Sequence, residues 1–214
     1  VEAWFRQHIG PPSALQQATW TELRQGRSLL LAANTGAGKT LAAMLPLLEQ
    51  LHRPGTQAAV RVLYISPLRA LAQDIERHLQ EYLADLAASN PQHRALRVGL
   101  RSGDSLPQQR RQLWHKPPDI LVTTPESLFI LLLSARGRKL LTQVEHVVVD
   151  EVHALAANKR GTHLSLSLER LQLLVQKPLQ RIGLSATQKP LTELADWLCG
   201  GRDCSILDHT RQRH

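Results

Sequence analysis

The chain is poor in cysteine, aromatic residues and long hydrophobic runs, and each shortage excludes a class of protein. Two cysteines among 214 residues provide no disulfide framework, which favours a reducing compartment and a cytoplasmic protein. The hydrophobic runs are much shorter than the roughly 20 residues that cross a bilayer, so we expect no membrane segment. The chain also opens without the pattern of a secretory signal. Because aromatic residues make up only 4% of the chain, leucine, alanine and valine must fill the core.

What is present describes a basic globular protein. Hydrophobic residues make up 43% of the chain and charged residues 21%, which suits a sizeable core better than a disordered tail. The length suits one large domain or at most two small ones. A formal charge of +8 and an isoelectric point of about 10.2 favour an anionic partner. Charge alone is equally compatible with a generally basic soluble protein.

Short apolar runs alternate with longer helical patterns. The runs predict strands at residues 28–32, 60–65, 96–100, 120–123, 146–149, 181–184 and 204–207. Between them, helices are predicted at residues 39–51, 69–88, 107–114, 125–133, 162–176 and 191–198. Valine, isoleucine and leucine runs are expected where helices cover both faces of a sheet. The order predicts an α/β fold with a three-layer, doubly wound, mostly parallel sheet, and ligand sites beyond the carboxyl ends of its strands.

A glycine-rich loop follows the first predicted strand and opens a helix. Its backbone N–H groups and the helix N-terminus suit a phosphate, while Lys39 reaches the outer phosphates and the Thr40 hydroxyl suits Mg²⁺. An ordinary glycine-rich loop is the alternative, and Ala33 replaces the first glycine of the usual motif. The residues predicted to bind ATP here are Thr35, Gly36, Ala37, Gly38, Lys39 and Thr40.

Two carboxylates, Asp150 and Glu151, follow the most apolar predicted strand. A buried strand that ends in carboxylates is costly unless they meet a cation. We predict that Asp150 holds Mg²⁺ through water and that Glu151 orients the attacking water, since phosphoryl transfer depends mainly on positioning. An acidic helix cap would use the same residues. His153 completes the tetrad and is predicted to sense the nucleotide or couple to a neighbouring domain, although a lone histidine is more often a surface residue.

Two small hydroxyl residues, Ser185 and Thr187, follow the predicted strand at 181–184. They are placed to hydrogen-bond the acidic tetrad and couple it to bound nucleic acid. An ordinary turn or helix cap favours the same residue types, so the tripeptide alone indicates little.

The order of these motifs resembles that of superfamily 2 helicases of the DExH-box type, in which alanine at position 33 is ordinary. Between the glycine-rich loop and the acidic tetrad lie Ser66-Pro67-Leu68-Arg69-Ala70-Leu71 and Thr123-Thr124-Pro125-Glu126-Ser127. Three further strings narrow the resemblance to the large helicase-related (Lhr) family of DNA-repair helicases, although related repair helicases share most of them. These strings are Arg101-Ser102-Gly103-Asp104, Lys159-Arg160-Gly161 and Leu184-Ser185-Ala186-Thr187.

The resemblance implies the first RecA-like P-loop motor domain of an ATP- and Mg²⁺-dependent enzyme, at residues 28–208. Residues 1–27 would carry Gln16, which would recognise the edge of the adenine. The alternatives are that Gln16 is a solvated helix residue, or that the neighbouring Gln17 takes this role. Residues 209–214 would begin a linker to a second motor domain that is missing from this chain. Because that domain supplies arginines to the transition state, the isolated chain is expected to bind nucleotide weakly and hydrolyse it poorly.

The implied partner is nucleic acid, most simply single-stranded DNA or an RNA–DNA hybrid, and the implied enzyme is a 3′-to-5′ DNA translocase of repair. Contacts between N–H groups, hydroxyls or arginine and phosphate predict salt-sensitive, sequence-tolerant binding. Asp104 is expected beside the bound nucleic-acid strand. Lys159 and Arg160 either contact the nucleic acid directly or lie in an exposed, solvated turn. The candidate contacts are Pro67, Arg69, Arg101, Thr124, Pro125, Glu126 and Ser127.

Three other functions are compatible with parts of the pattern. One is a nucleic-acid-binding module in which the nucleotide acts only as a switch, although intact Lys39, Asp150 and Glu151 disfavour a dead site. Another is an RNA helicase of the same superfamily. The third is a P-loop ATPase that moves proteins or small molecules. The loops at residues 66–71 and 123–127, which resemble segments that grip nucleic acid, and the +8 charge disfavour it.

A zinc site is suggested by the spacing of Cys199, Cys204, His209 and His214. The central spacer is shorter than that of the usual zinc finger and falls on the predicted strand at 204–207. The cysteines are more simply small core residues, so no zinc is expected.

Overall fold

The computed structural model describes residues 2–52, 58–89, 94–186 and 190–209, which contain seven strands and ten helices. The strands are β1 (Leu29–Ala32), β2 (Val62–Ile65), β3 (Val98–Arg101), β4 (Ile120–Thr123), β5 (His146–Val149), β6 (Gln180–Ser185) and β7 (Ser205–Asp208). The helices are α1 (Glu2–His8), α2 (Ala14–Arg24), α3 (Lys39–Leu51), α4 (Arg69–Ser89), α5 (Pro107–His115), α6 (Pro125–Leu133), α7 (Ala135–Leu141), α8 (Val152–Ala156), α9 (Lys159–Val175) and α10 (Leu191–Cys199).

The seven strands form one sheet, in which every described pairing is parallel and the order is β3-β4-β2-β5-β6-β1-β7. This confirms the predicted α/β, doubly wound architecture. Ile65 pairs with both Thr123 and Val149, and Ala32 pairs with Ser185. The carboxyl ends of β2, β4 and β5 are therefore level, whereas those of β1 and β6 extend two residues farther, because Val149 pairs with Gly183. The loops that leave these five strands meet at one edge of the sheet.

Alternate side chains of each strand enter two separate hydrophobic cores. Leu31 and Tyr64 face the core formed with α1 to α4, whereas Leu30, Leu63 and Ile65 face the core formed with α5 to α10. All five are fully buried, and burying a leucine of this kind contributes about 2 kcal/mol. Helices on both faces exclude water from the sheet, which explains why the strands read as continuous apolar runs.

The sequence pattern located every strand to within two residues and six of the helices. Helix α9 begins at Lys159, three residues before the predicted start, because the Asn158 side chain accepts a hydrogen bond from the N–H of Gly161 at 3.1 Å and caps the helix. Helices α1, α2, α7 and α8 were not predicted. Of these, α1 and α2 pack Phe5 and Trp20 into the first core. Within the described residues, no helix is both long and apolar enough to cross a bilayer.

An ion pair between a buried arginine and a partly exposed glutamate joins the second helical layer to the sheet. Arg181 on β6 is only 2% exposed, and its Nη1 donates to Oε1 of Glu169 at 2.8 Å. Arg202 holds the other carboxylate oxygen of Glu169 at 2.6 Å. The hydrogen bond from Arg202, reinforced by Arg181, lowers the pKa of Glu169 to about 2.

Replacing Glu169 by glutamine is expected to lower the free energy of unfolding at pH 7 by about 1 to 2 kcal/mol, a value reduced for solvent screening of a side chain that is 40% exposed. Because the folded-state pKa lies below the unfolded one, the carboxylate stabilises the fold above about pH 4.5. That contribution is lost as the pH falls toward 2. Urea unfolding at pH 7 and pH 3 measures it, with Asp74→Asn in an exposed ion pair as the control. Equal losses at both pH values would contradict the assignment.

Candidate nucleotide site and nucleic-acid face

The glycine-rich loop leaves β1 at Ala33 and enters α3. Gly36 and Gly38 have φ angles of +80° and +78°, which glycine adopts without the strain that a Cβ adds. Gly38 caps α3, so the first N–H groups of a 13-residue helix face the loop. Nζ of Lys39 donates to the carbonyl oxygens of Ala33 and Asn34 at 2.8 and 3.0 Å. The loop thus combines the N–H groups of a helix N-terminus with an ammonium, which fits a polyphosphate.

Lys39 faces the two carboxylates of the acidic tetrad across the loop. Half-burial lowers the pKa of Lys39, while the negative charges of Glu151 and Asp150 act in the opposite direction. Lys39 and the carboxylates therefore share one electrostatic site, although they lie more than a hundred residues apart in sequence.

Asp150 lies at the end of β5 and is held by two hydrogen bonds. The Tyr64 hydroxyl donates to its Oδ2 at 2.8 Å, and the N–H of Glu151 donates to its Oδ1 at 2.9 Å. Burial raises the pKa of Asp150, and the hydrogen bond from Tyr64 opposes this rise. A partly buried carboxylate is a hard oxygen donor, which fits Mg²⁺.

Glu151 adopts a backbone conformation that is rare for a residue with a side chain. Its φ and ψ are 48° and 47°, and it caps α8. A left-handed residue of this kind carries strain of about 1 kcal/mol or more, and such strain clusters at functional sites. The turn leaves the Glu151 carboxylate one-third exposed beside the glycine-rich loop. The acidic pair is therefore more than an ordinary helix cap, because no side-chain capping bond is made by Glu151.

His153 joins the acidic tetrad to the end of β6. Its Nδ1 accepts from the N–H of Ala186 at 3.2 Å and lies 3.3 Å from Oγ of Ser185. Its Nε2 lies 3.3 Å from the Glu151 carboxylate. Because Nδ1 accepts from a backbone N–H, we assign the ring proton to Nε2, where it faces Glu151. The structure thus brings Ser185 and the tetrad together, whereas Thr187 lies outside the described residues.

Gln16 packs against the glycine-rich loop. It is only 7% exposed, and a Cβ placed on Gly38 would lie 3.1 Å from its Nε2. Its Oε1 accepts from the N–H of Ser13 at 2.8 Å in a capping box. Gln17, in contrast, is exposed and its Nε2 donates to the carbonyl of Pro12. The residue at the loop is therefore Gln16, and a solvated position for it is excluded.

The two segments that the resemblance predicts to contact nucleic acid, residues 66–71 and 123–127, leave β2 and β4 side by side. The N–H of Ser66 donates to the carbonyl of Thr123 at 3.0 Å. The side chain of Thr124 caps α6 by accepting from the N–H of Ser127. Thr124 and Ser127 are buried, so this segment offers mainly the start of a helix to a ligand. Arg69 and Glu126 are exposed. The predicted contact residues that meet at this edge are Pro67, Arg69, Thr124, Pro125, Glu126 and Ser127.

Arg160 ties the two segments together. Its Nε donates to Glu126 and its Nη2 donates to the carbonyl oxygen of Pro67, each at 2.7 Å. Arg160 is therefore held between the two segments, and its positive charge is paired with the Glu126 carboxylate. The sequence alone did not decide the role of Arg160, because its partners lie 34 and 93 positions away.

Arg101 lies beneath the neighbouring loop. Its side chain is only 7% exposed, its guanidinium donates to the carbonyl of Ser102, and burial lowers its pKa. Arg69 is 61% exposed and forms an exposed ion pair with Asp104 at 2.6 Å. Exposed pairs of this kind are weak, so a phosphate can replace the aspartate. Of these two predicted basic contacts, the accessible one is Arg69.

The two cysteines have the placement expected of small core residues. Cys199 ends α10 in the second core with 1% exposure, and Cys204 is half-buried beside it. His214, the last residue of the suggested zinc set, lies outside the described residues. In the part of the chain that the structure describes, no three histidine, cysteine or acidic residues group as metal ligands.

Known proteins match this chain over nearly its whole length. The DEAD/DEAH box helicase family matches residues 13–194. A relative from Mycolicibacterium smegmatis, described as an Lhr helicase and probable uracil glycosylase, is 47% identical over 95% of this chain and 14% of its own length. The ATP-dependent helicase Lhr-Core of Methanothermobacter thermautotrophicus is 44% identical over 97% of this chain and 25% of its own length. The chain thus spans a quarter or less of these relatives.

Solved structures give the same result. The Mycobacterium smegmatis helicase Lhr, determined with ssDNA and AMP-PNP, superposes with a TM-score of 0.90 at 47% identity, over 96% of this chain and 27% of that one. The DEAD-box helicase Mss116 superposes with a TM-score of 0.81 over 97% of this chain and 42% of that one, and its 21% identity shows the fold alone. The chain belongs to the DEAD/DEAH box helicase family, as a RecA-like motor domain whose relatives are Lhr helicases.

Proposed function

We propose that this chain is the first, ATP-binding motor domain of a nucleic-acid-dependent helicase. The observation that carries the proposal is the shared edge of the sheet. There Lys39, Asp150 and Glu151 form one electrostatic site, and the loops with Arg69 and Thr124 leave the neighbouring strands. The bridge from Glu151 through His153 to the end of β6 connects the acidic tetrad to a further strand at this edge, which is the coupling that a motor requires.

Each residue of the nucleotide site then has a role. Gln16 reads the adenine edge, and the loop at residues 35–40 holds the phosphates. Thr40 and Asp150 would hold Mg²⁺, which would supply positive charge at the outer phosphates. Lys39 binds the outer phosphates, and Glu151 orients and activates the attacking water. His153 transmits the state of Glu151 to Ser185, and Thr187 is proposed to share this coupling role.

The proposed partner is single-stranded DNA or an RNA–DNA hybrid. The ssDNA and AMP-PNP in the structure of the 47% identical Lhr support both ligands. Arg69, Pro67 and the start of α6 at Thr124 to Ser127 would contact phosphates, with Arg101 supporting the loop from beneath. Action in cytoplasmic DNA repair and 3′-to-5′ polarity rest on the family resemblance. An RNA helicase, or a binding module with a nucleotide switch, would use the same site.

The proposed organisation places the ATP-binding core at residues 28–208. Helices α1 and α2 within residues 1–27 pack against it through Phe5 and Trp20. Residues 209–214 would lead to a second motor domain that contributes arginines to the transition state. Accordingly, the 214-residue chain alone is proposed to hydrolyse ATP poorly, and robust nucleic-acid-stimulated turnover by this chain would refute that part of the proposal.

Replacing Arg69 by glutamine is expected to weaken ssDNA binding about equally for all sequences. It should also lower by about one the slope of log affinity against log salt, because one phosphate contact is lost. Fluorescence anisotropy over a salt series measures this. Arg77→Gln is a matched control, since Arg77 is equally exposed on the same helix and likewise pairs with an aspartate, Asp74. An unchanged slope for Arg69→Gln, or the same change in both variants, would show that Arg69 makes no specific phosphate contact.

A further inference from the structure

Tyr64 is a buried polar residue in an otherwise aliphatic strand. Strand β2 reads Val-Leu-Tyr-Ile and is fully buried. Tyr64 points toward α3, the helix that the glycine-rich loop opens, while Leu63 and Ile65 point to the other core. A hydroxyl buried without a hydrogen bond costs a few kcal/mol, whereas phenylalanine would fill the same space without that penalty. The position of the hydroxyl therefore requires an explanation beyond packing.

The hydroxyl of Tyr64 meets one of the side chains that are proposed to hold Mg²⁺. It donates to Oδ2 of Asp150 at 2.8 Å. Because a hydroxyl carries a single proton, that proton is committed to the carboxylate. The tyrosine therefore holds one oxygen of Asp150 from the side of the core.

Both oxygens of Asp150 are held. Oδ2 accepts from the tyrosine and Oδ1 accepts from the N–H of Glu151, so the orientation of the carboxylate is fixed. Each oxygen keeps a second lone pair for a cation or its water. When a group that hydrogen-bonds a metal ligand and orients it is removed, metal affinity typically falls by about 10- to 100-fold.

We infer that Tyr64 is a positioning residue for the magnesium–nucleotide complex, and that it fixes the Asp150 carboxylate in the orientation that serves Mg²⁺. This inference rests on the proposed function, because it assumes that Asp150 serves Mg²⁺. Tyr64 itself contacts neither nucleotide nor metal. Its effect is confined to the Mg²⁺-dependent part of binding.

The test is Tyr64→Phe in the 214-residue chain, with binding of a fluorescent ATP analogue titrated to millimolar concentration over a Mg²⁺ series and in EDTA. We expect the Mg²⁺ concentration at half-maximal enhancement to rise by about tenfold, with binding in EDTA unchanged. Thermal unfolding verifies that the variant folds. Tyr82→Phe is the matched control, because Tyr82 is the chain's other tyrosine and packs against Trp4 on α1.

The possible outcomes distinguish a failure of the role of Tyr64 from a failure of the proposed function. An unchanged Mg²⁺ requirement in Tyr64→Phe, beside a clear requirement in the wild type, would overturn the role of Tyr64 alone. A variant that fails to fold, or that loses binding equally in EDTA, would make the hydroxyl structural and also overturn it. If the wild type showed no Mg²⁺-dependent binding, the proposed function would fall, and this inference with it.

Discussion

Replacing Glu151 by glutamine in a helicase that contains this domain is expected to reduce ATP turnover by about 100- to 1000-fold, while nucleotide affinity changes little. The amide retains the size of the carboxylate but cannot accept a proton from the attacking water, and positioned bases contribute about this factor. Steady-state turnover and nucleotide binding, measured on the same preparation, check the result. Glu81→Gln, an exposed change on α4, is the control.

Lys39→Ala forms the second half of this experiment. It removes the ammonium at the loop, so nucleotide binding and turnover are expected to fall together, whereas Glu151→Gln is expected to lower turnover alone. The pair distinguishes a motor from a module in which nucleotide acts only as a switch. Nucleic-acid-stimulated turnover that survived either change would show that the motor assignment is wrong.

Gly161→Ala is expected to lower the free energy of unfolding by about 3 kcal/mol. A Cβ at this position would lie 1.9 Å from the carbonyl oxygen of Leu155 and 2.6 Å from its carbonyl carbon. Backbone atoms cannot move aside as a side chain does, so α9 would have to shift from α8 and from the core that Leu164 and Leu168 fill. The glycine of the Lys159-Arg160-Gly161 string is thus explained by close helix packing.

Chemical denaturation measures this change, and Thr162→Ala serves as the control because its side chain is exposed at the next position of the same helix. The control is expected to change stability by less than about 0.5 kcal/mol. A Gly161→Ala variant as stable as the wild type would contradict the packing described for α8 and α9.

The parts of the fold that sequence predicted are those with local causes. The strands were found because helices bury both of their faces, which leaves a continuous apolar run at each. The glycine-rich loop and the acidic tetrad were found because their chemistry needs adjacent residues. Helix α2 was missed although Ser13 and Gln16 form a capping box, a signal that was present in the sequence. Helix α8, with five residues, is too short to show a period.

The parts that sequence could not give depend on contacts between distant residues. Arg160 becomes a link only when α6 and α9 place Glu126 and the carbonyl of Pro67 on either side of it. From the sequence, Tyr64 could be predicted only as a core residue, because its contact with Asp150 depends on the pairing of β2 with β5. Arg101 belonged to a recognised string, yet its side chain turned inward. Motifs thus predict which loops form the site, and tertiary packing decides which side chains face the ligand.

The most direct test of the central claim is the rate of ATP hydrolysis by a protein in which this chain is joined to the proposed second motor domain, measured with and without saturating single-stranded DNA. The proposed phosphate site and the loops at residues 66–71 and 123–127 lie at the same edge of the sheet, and His153 links the site to the end of β6. We therefore predict that DNA raises the rate by at least about tenfold, or about 1.4 kcal/mol in the barrier. A rate that is the same with and without nucleic acid would contradict the assignment of this domain as a nucleic-acid motor.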